Sequence, residues 1–323
     1  MKRNILTLIL ICIIGTAAFA QNIIEPELQE FMKQKNDEKI SVNIIFKSQL
    51  DVKELRTNSN NYSDKETKRQ AVIKEFKDFS EASQQEVVSF IKSQESKGEV
   101  TDMVCHWLSN SITCTTTKDV IEALSKRDDI LLIGLNAERK VILEDNKSTI
   151  QRDNKMEITC NVLQVNADKV WDLGYTGEGV LVAILDSGVD YEQVDLADHL
   201  WDGGTEFPKH GYNFADNNND PMDGTGHGTH CSGIICGDGN SGTRTGVAPE
   251  ATLMCVKIIN GTGDTDAGKI VSGMEFAVEH GAQILSMSLG IANSSISDRT
   301  MLRQTCVNTL EAGVIAAVSA GND

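Results

Sequence analysis

Two rhythms of apolar residues divide the chain. In the first half Ile40, Val42, Ile44 and Phe46 recur at period two, which buries one face of a strand. Val72, Phe76, Phe79, Val87, Phe90 and Ile91 follow at helical spacing, so residues 64–97 read as one long amphipathic helix or two short ones, closed by Gly98. Met103, Cys105 and Trp107 alternate before a turn at 108–111, with Ile112 and Cys114 beyond it, which predicts a hairpin. Thr117 can cap a second helix carrying Val120, Ile121 and Leu124, and 130–135 is a last strand. That order predicts a small α+β domain over residues 24–147, the ferredoxin-like split arrangement, with helices on one face of an antiparallel sheet.

From Gly179 the rhythm changes to short apolar runs at 180–185, 252–258, 283–287 and 314–318. Helical stretches separate them: one starts near His227, and the others cover 267–280 and 297–311. Buried strands alternating with helices predict an α/β fold, a parallel sheet covered on both sides. Sites in such sheets form at the carboxyl ends of strands. Asp186, Ser288 and Asn322 all fall just past a strand end. Between the halves periodicity fades, which places an interdomain linker at 148–161.

The first residues add a location. Met1-Lys-Arg3, an apolar stretch from Ile5 to Ile14 and Ala18-Phe-Ala20 have the charged, apolar and small-residue regions of a secretory signal over residues 1–20. The apolar core is shorter than the ~20 residues that span a bilayer, and no later segment is long enough. The chain is therefore expected to be secreted, extracellular or periplasmic, with no membrane attachment once the signal is removed. A net charge of -17 argues against a nucleic-acid partner. Signal removal takes Cys12 and leaves an odd number of cysteines, hence at least one free thiol. If Trp107 faces Ile112, Cys105 lies opposite Cys114; a disulfide across the hairpin and a pair of buried thiols both fit that alternation.

Five motifs carry chemistry: Asp186-Ser-Gly-Val-Asp190, His227-Gly-Thr-His-Cys-Ser-Gly233, Gly246-Val-Ala-Pro249, Ser286-Met-Ser-Leu-Gly290 and Ala320-Gly-Asn322. In this order, across 162–323, they resemble the motifs of the subtilase family of serine endopeptidases. The resemblance implies a catalytic aspartate and histidine at Asp186 and His227, an oxyanion-hole amide at Asn322, and a peptide-binding strand at Ser288, Leu289 and Gly290. Acyl transfer explains the residue types. An imidazole takes a hydroxyl proton and returns it to the leaving amine. A buried carboxylate fixes its tautomer, a preorganised donor meets the oxyanion, and free strand groups receive an extended peptide.

The N-terminal domain is similar in pattern and position to the propeptide of secreted subtilases of the bacillopeptidase type. That similarity implies an inhibitor or folding aid with a processing site in the linker; an unrelated α+β binding module is the other reading. No cofactor is required for the chemistry. Residues 213–220 resemble a calcium-binding segment of some subtilases, with Asp216, Asn218 and Asp220 as candidate ligands and a solvated polar turn as the alternative. Cys231 is expected to pack as a thiol behind His227, with the imidazole facing away from it.

The family's nucleophile stands in Gly-Thr-Ser-Met-Ala, downstream of the oxyanion asparagine, and no such motif occurs in these 323 residues. Ser286, Ser288 and Ser319 belong to strand ends with other roles. The expectation is a fragment of a protease zymogen that does not itself hydrolyse peptides, with 314–318 left as an apolar sheet edge. The alternatives are a non-catalytic protein whose first domain inhibits or chaperones a subtilase, and a pseudoprotease that binds peptides uncut. Expected partners are a peptide or protein substrate and the chain's own propeptide.

Overall fold

A computed structural model describes residues 23–34, 38–59, 62, 64–142 and 158–321. The signal segment, most of the linker and Asn322 lie outside the described residues.

The N-terminal half contains α1 (Pro26–Gln34), β1 (Ile40–Phe46), α2 (Val52–Ser59), α3 (Lys65–Glu95), β2 (Val100–His106), β3 (Ser111–Thr116), α4 (Lys118–Leu124), β4 (Ile130–Leu135) and β5 (Arg139–Ile142). Four strands form an antiparallel sheet in the order β2-β3-β1-β4, the order of the split arrangement. The polar stretch is one 31-residue helix, α3, started by Asp64, whose side chain accepts from Thr67 N. Capping of this kind supplies about 1 kcal/mol; burial of Val87 and Ile91 in the same cluster as Ile44, Ile112 and Ile121 does the rest.

The hairpin register differs from expectation. Cys105 pairs with Ile112, and Cys114 pairs across the other edge with Val42. Residues 107–110 form the turn, and a register shift between Thr101 and Val104, with Asp102 at φ 55, realigns the strand. Cys105 is exposed, Cys114 is buried, and both are free thiols. Burial pushes the Cys114 thiol up to about 12, so this sulfur is inert at neutral pH.

The C-terminal half contains α5 (Cys160–Gln164), α6 (Ala167–Trp171), β6 (Leu181–Asp186), β7 (Gly211–Asn213), α7 (His227–Cys236), β8 (Thr252–Lys257), β9 (Asp264–Thr265), α8 (Ala267–Glu279), β10 (Ile284–Met287), β11 (Gly290–Ile291), α9 (Ile296–Glu311) and β12 (Ile315–Val318). Five strands run parallel in the order β12-β10-β6-β8-β7. Successive residues of a strand point to opposite faces. Val182 and Ile184 accordingly join the cluster that includes Cys236 of α7, while Ala183 and Leu185 join the one that includes Met274 and Phe276 of α8. Both faces are thus covered, as the unbroken apolar runs require. β12 is an edge strand with Ile315 and Val318 more than half exposed.

The N-terminal half packs on the α8–α9 side and supplies charges to the helix ends. Glu25 accepts from Ile296 N and Ser297 Oγ at the start of α9. Arg69 donates to the carbonyls of Val278 and Gly281 at the end of α8. An acid at a helix start and a cation at a helix end each oppose the local dipole. The fit is close: a Cβ on Gly134 would lie 1.9 Å from Ser297 Oγ and 2.2 Å from Glu25 Oε2.

Candidate active site

β6 lies between β10 and β8, and its last residue, Asp186, is fully buried. The strand places this carboxylate at the carboxyl edge of the sheet, where neighbouring strands diverge and their terminal groups are free for a ligand. Asp186 Oδ1 accepts from Ser187 N at 2.6 Å and lies 2.7 Å from His227 Nδ1. Asp186 Oδ2 is buried without a hydrogen-bond partner among the described residues.

His227 is the first residue of α7, entered through Gly226 at φ 86. It is 6% exposed. With Nδ1–H held by the carboxylate, the lone pair falls on Nε2, the nitrogen able to accept a hydroxyl proton. The hydrogen bond to Asp186 raises the imidazole pKa above its ordinary value, and the Cys231 sulfur adds to the rise against the opposing effect of burial. Gly228 lets the helix approach the loop after β6, since a Cβ there would lie 2.0 Å from Gly188 O.

Cys231 corrects one expectation. Its sulfur lies 3.9 Å from both ring nitrogens of His227, because residues four apart share a helix face. The imidazole therefore does not face away from it.

Ser288, Leu289 and Gly290 continue from β10 into β11, and this stretch is covered by the chain itself. β5 lies between β11 and β9 in an antiparallel three-stranded sheet, with Gly290 opposite Ile142, Ile291 opposite Val141 and Thr265 opposite Arg139. Val141 N donates to Gly263 O at 3.0 Å and Ala292 N to Lys140 O at 3.1 Å. Val141 is buried in the cluster that contains Leu289 and Ile259, and Lys140 Nζ reaches Thr262 O at 2.7 Å and Asp264. Arg139 Nε donates to Asp298 Oδ2 at 2.8 Å. Sequence reasoning missed β5. Four residues carry no periodicity of their own, and such a strand exists only through its partners.

The candidate calcium ligands carry hydrogen bonds from neighbouring groups. Asp216 Oδ2 and Asn218 Oδ1 accept from Asn213 Nδ2 and Asp220 N. Asp220 accepts from Tyr191 Oη at 2.9 Å and pairs with Lys209. The Lys209 hydrogen bond chiefly lowers its pKa.

An imidazole backed by a buried carboxylate at the rim of a parallel α/β sheet is an arrangement able to take up and return a hydroxyl proton. Residues 177–323 match the subtilase family, peptidase S8. The chain is 32% identical over 191 residues to the minor extracellular protease Vpr of Bacillus subtilis (strain 168), covering 56% of this chain and 22% of that protein. It is 32% identical over 174 residues to subtilisin E of the same organism, covering 54% and 42%. With bacillopeptidase F, also of that organism, it shares 28% over 218 residues, covering 64% and 15%. The chain thus spans less than half the length of each of these three relatives. Among the described residues no helix is long and apolar enough to cross a membrane.

Proposed function

We propose that the chain belongs to a secreted serine endopeptidase zymogen, with residues 24–147 as its propeptide and 148–161 as the linker that is cut. The single observation that carries this reading is the 2.7 Å contact between Asp186 Oδ1 and His227 Nδ1, set beside the strand on which β5 lies. His227 Nε2 is the base that takes the proton of a serine hydroxyl and returns it to the leaving amine. Asp186 orients the ring and stabilises the imidazolium. Ser288 to Gly290 pair with substrate backbone, and Asn322, outside the described residues, supplies the oxyanion donor.

In this reading β5 stands where substrate would stand. Its backbone groups already meet β11 and β9, so the N-terminal half blocks the site it adjoins. No cofactor enters the chemistry, and a calcium ion at 216–220 would have to compete with Lys209 for Asp220.

The hydroxyl comes from a segment other than the five motifs present. A fluorophosphonate probe is therefore expected to leave the 323-residue chain unlabelled and to label a serine when the reading frame is extended past codon 323. Labelling of a serine within 1–323, or none in any extended product, contradicts the assignment. Tight peptide binding by an extended product that never labels would favour the pseudoprotease.

A further inference from the structure

Asp223 lies four residues before His227, in the loop between β7 and α7. Oδ1 of its carboxylate accepts from Ser187 Oγ (2.9 Å), Thr225 N (2.9 Å) and Gly226 N (3.0 Å). Oδ2 accepts from Thr229 N (2.9 Å) and Thr229 Oγ1 (2.6 Å). None of these donors is a cation. Burial pushes the Asp223 carboxyl up, but the hydrogen bonds from Thr229, Thr225 and Gly226 together bring it below its ordinary value, so it is an anion at neutral pH.

Each donor side chain is also tied to a motif of the site. Ser187 N donates to Asp186 Oδ1, and Ser187 Oγ accepts from Gly228 N at 3.0 Å. Thr229 Oγ1 accepts from Asp190 N at 2.9 Å. One carboxylate therefore joins the residue after Asp186 to the first turn of the helix that begins at His227. Its charge has a second effect. The start of a helix carries partial positive charge that disfavours an imidazolium at its first residue, and an anion beside the free amides offsets it.

We propose that Asp223 is a positioning residue that sets both the geometry and the proton affinity of the Asp186–His227 pair; the role rests on His227 being the base. A misplacement of 1 Å at such a pair can cost on the order of a hundredfold in rate. β6 and α7 pack through Val182, Ile184 and Cys236 and through the Gly228–Gly188 approach, and the Asp223 carboxylate adds polar links at the ends that carry Asp186 and His227.

The test is nitrogen and proton NMR of His227 in the 323-residue chain, which needs no nucleophile. In the unsubstituted chain the Nδ1 proton is expected downfield, with a titration midpoint above about 6.5. Asp223→Asn is expected to broaden or remove that resonance and to lower the midpoint by a pH unit or more, about tenfold in proton affinity. The ring signals of His106 and His210, held by other contacts, should not move. Thr229→Val and Ser187→Ala each delete one link and should shift His227 less, in the same direction. An unchanged His227 in folded Asp223→Asn overturns the proposal; if that variant does not fold, an unchanged His227 in both single-link variants does so. A missing Asp186-bonded proton in the unsubstituted chain would instead count against the base assignment itself.

Discussion

Leu108 N donates to Glu275 Oε1 at 2.7 Å, joining the hairpin turn of the N-terminal sheet to the middle of α8. His106, fully buried, lies 3.4 Å from the other oxygen of Glu275 and 3.0 Å from Thr113 Oγ1. Removing the carboxylate leaves the buried Leu108 amide without a partner, which costs about 1–3 kcal/mol. Glu275→Ala is expected to lower the urea midpoint by a corresponding amount, with the N-terminal sheet loosening first in hydrogen exchange. Glu275→Gln, which keeps one acceptor, should lose less.

The Asp186–His227 pair has a pH signature in stability. His227 has a folded pKa above its unfolded value, raised chiefly by Asp186, so its protonated form is favoured by folding. That contribution is full below the unfolded value of about 6.5 and disappears as pH rises through the raised folded value. The stability difference between the unsubstituted chain and Asp186→Asn should thus be largest near about pH 6 and shrink on the alkaline side. Urea titrations across that range measure it.

Gly228→Ala introduces a methyl 2.0 Å from Gly188 O, a backbone atom that cannot rotate away. Overpacking of this kind costs about 1–3 kcal/mol. The expected result is a lowered melting temperature together with loss of the downfield His227 proton, since α7 must move off the loop after β6. A Gly233→Ala control, where the nearest atom is Thr245 Oγ1 at 3.8 Å, should be mild.

Calcium is expected to leave the melting temperature unmoved, because Asp216 and Asp220 already accept from Asn213 and Lys209. Lys209→Ala frees Asp220 and is the variant in which added calcium, followed calorimetrically, should have an effect if the loop can hold an ion at all.

Long buried runs were legible in the chain and short paired ones were not. β6, β8, β10 and β12 fall within a residue or two of the expected strands, since each is an apolar run closed by small or polar residues. α3 was legible from its spacing, although only the structure shows it as one helix. β5, β9 and β11 were invisible because two to four residues gain strand geometry from neighbours distant in sequence. The hairpin register was misjudged because a left-handed residue, Asp102, marks a shift that alternation cannot reveal. At the site, Asp186 and His227 were found through motifs and do meet. Asp223 was missed: an aspartate before Gly-Thr-Gly-His looks like any turn residue, and of its five donors the one that ties it to the site, Ser187 Oγ, becomes a neighbour only when β6 and α7 come together.

Hydrogen exchange at β5 tests the central claim, that the chain's own segment occupies the peptide strand of a subtilase site. The amides of Val141 and Ala292, which donate to Gly263 O and Lys140 O, should exchange as slowly as those of β1 in the N-terminal sheet. Rapid exchange at both positions, with β6 and β1 still protected, would contradict it.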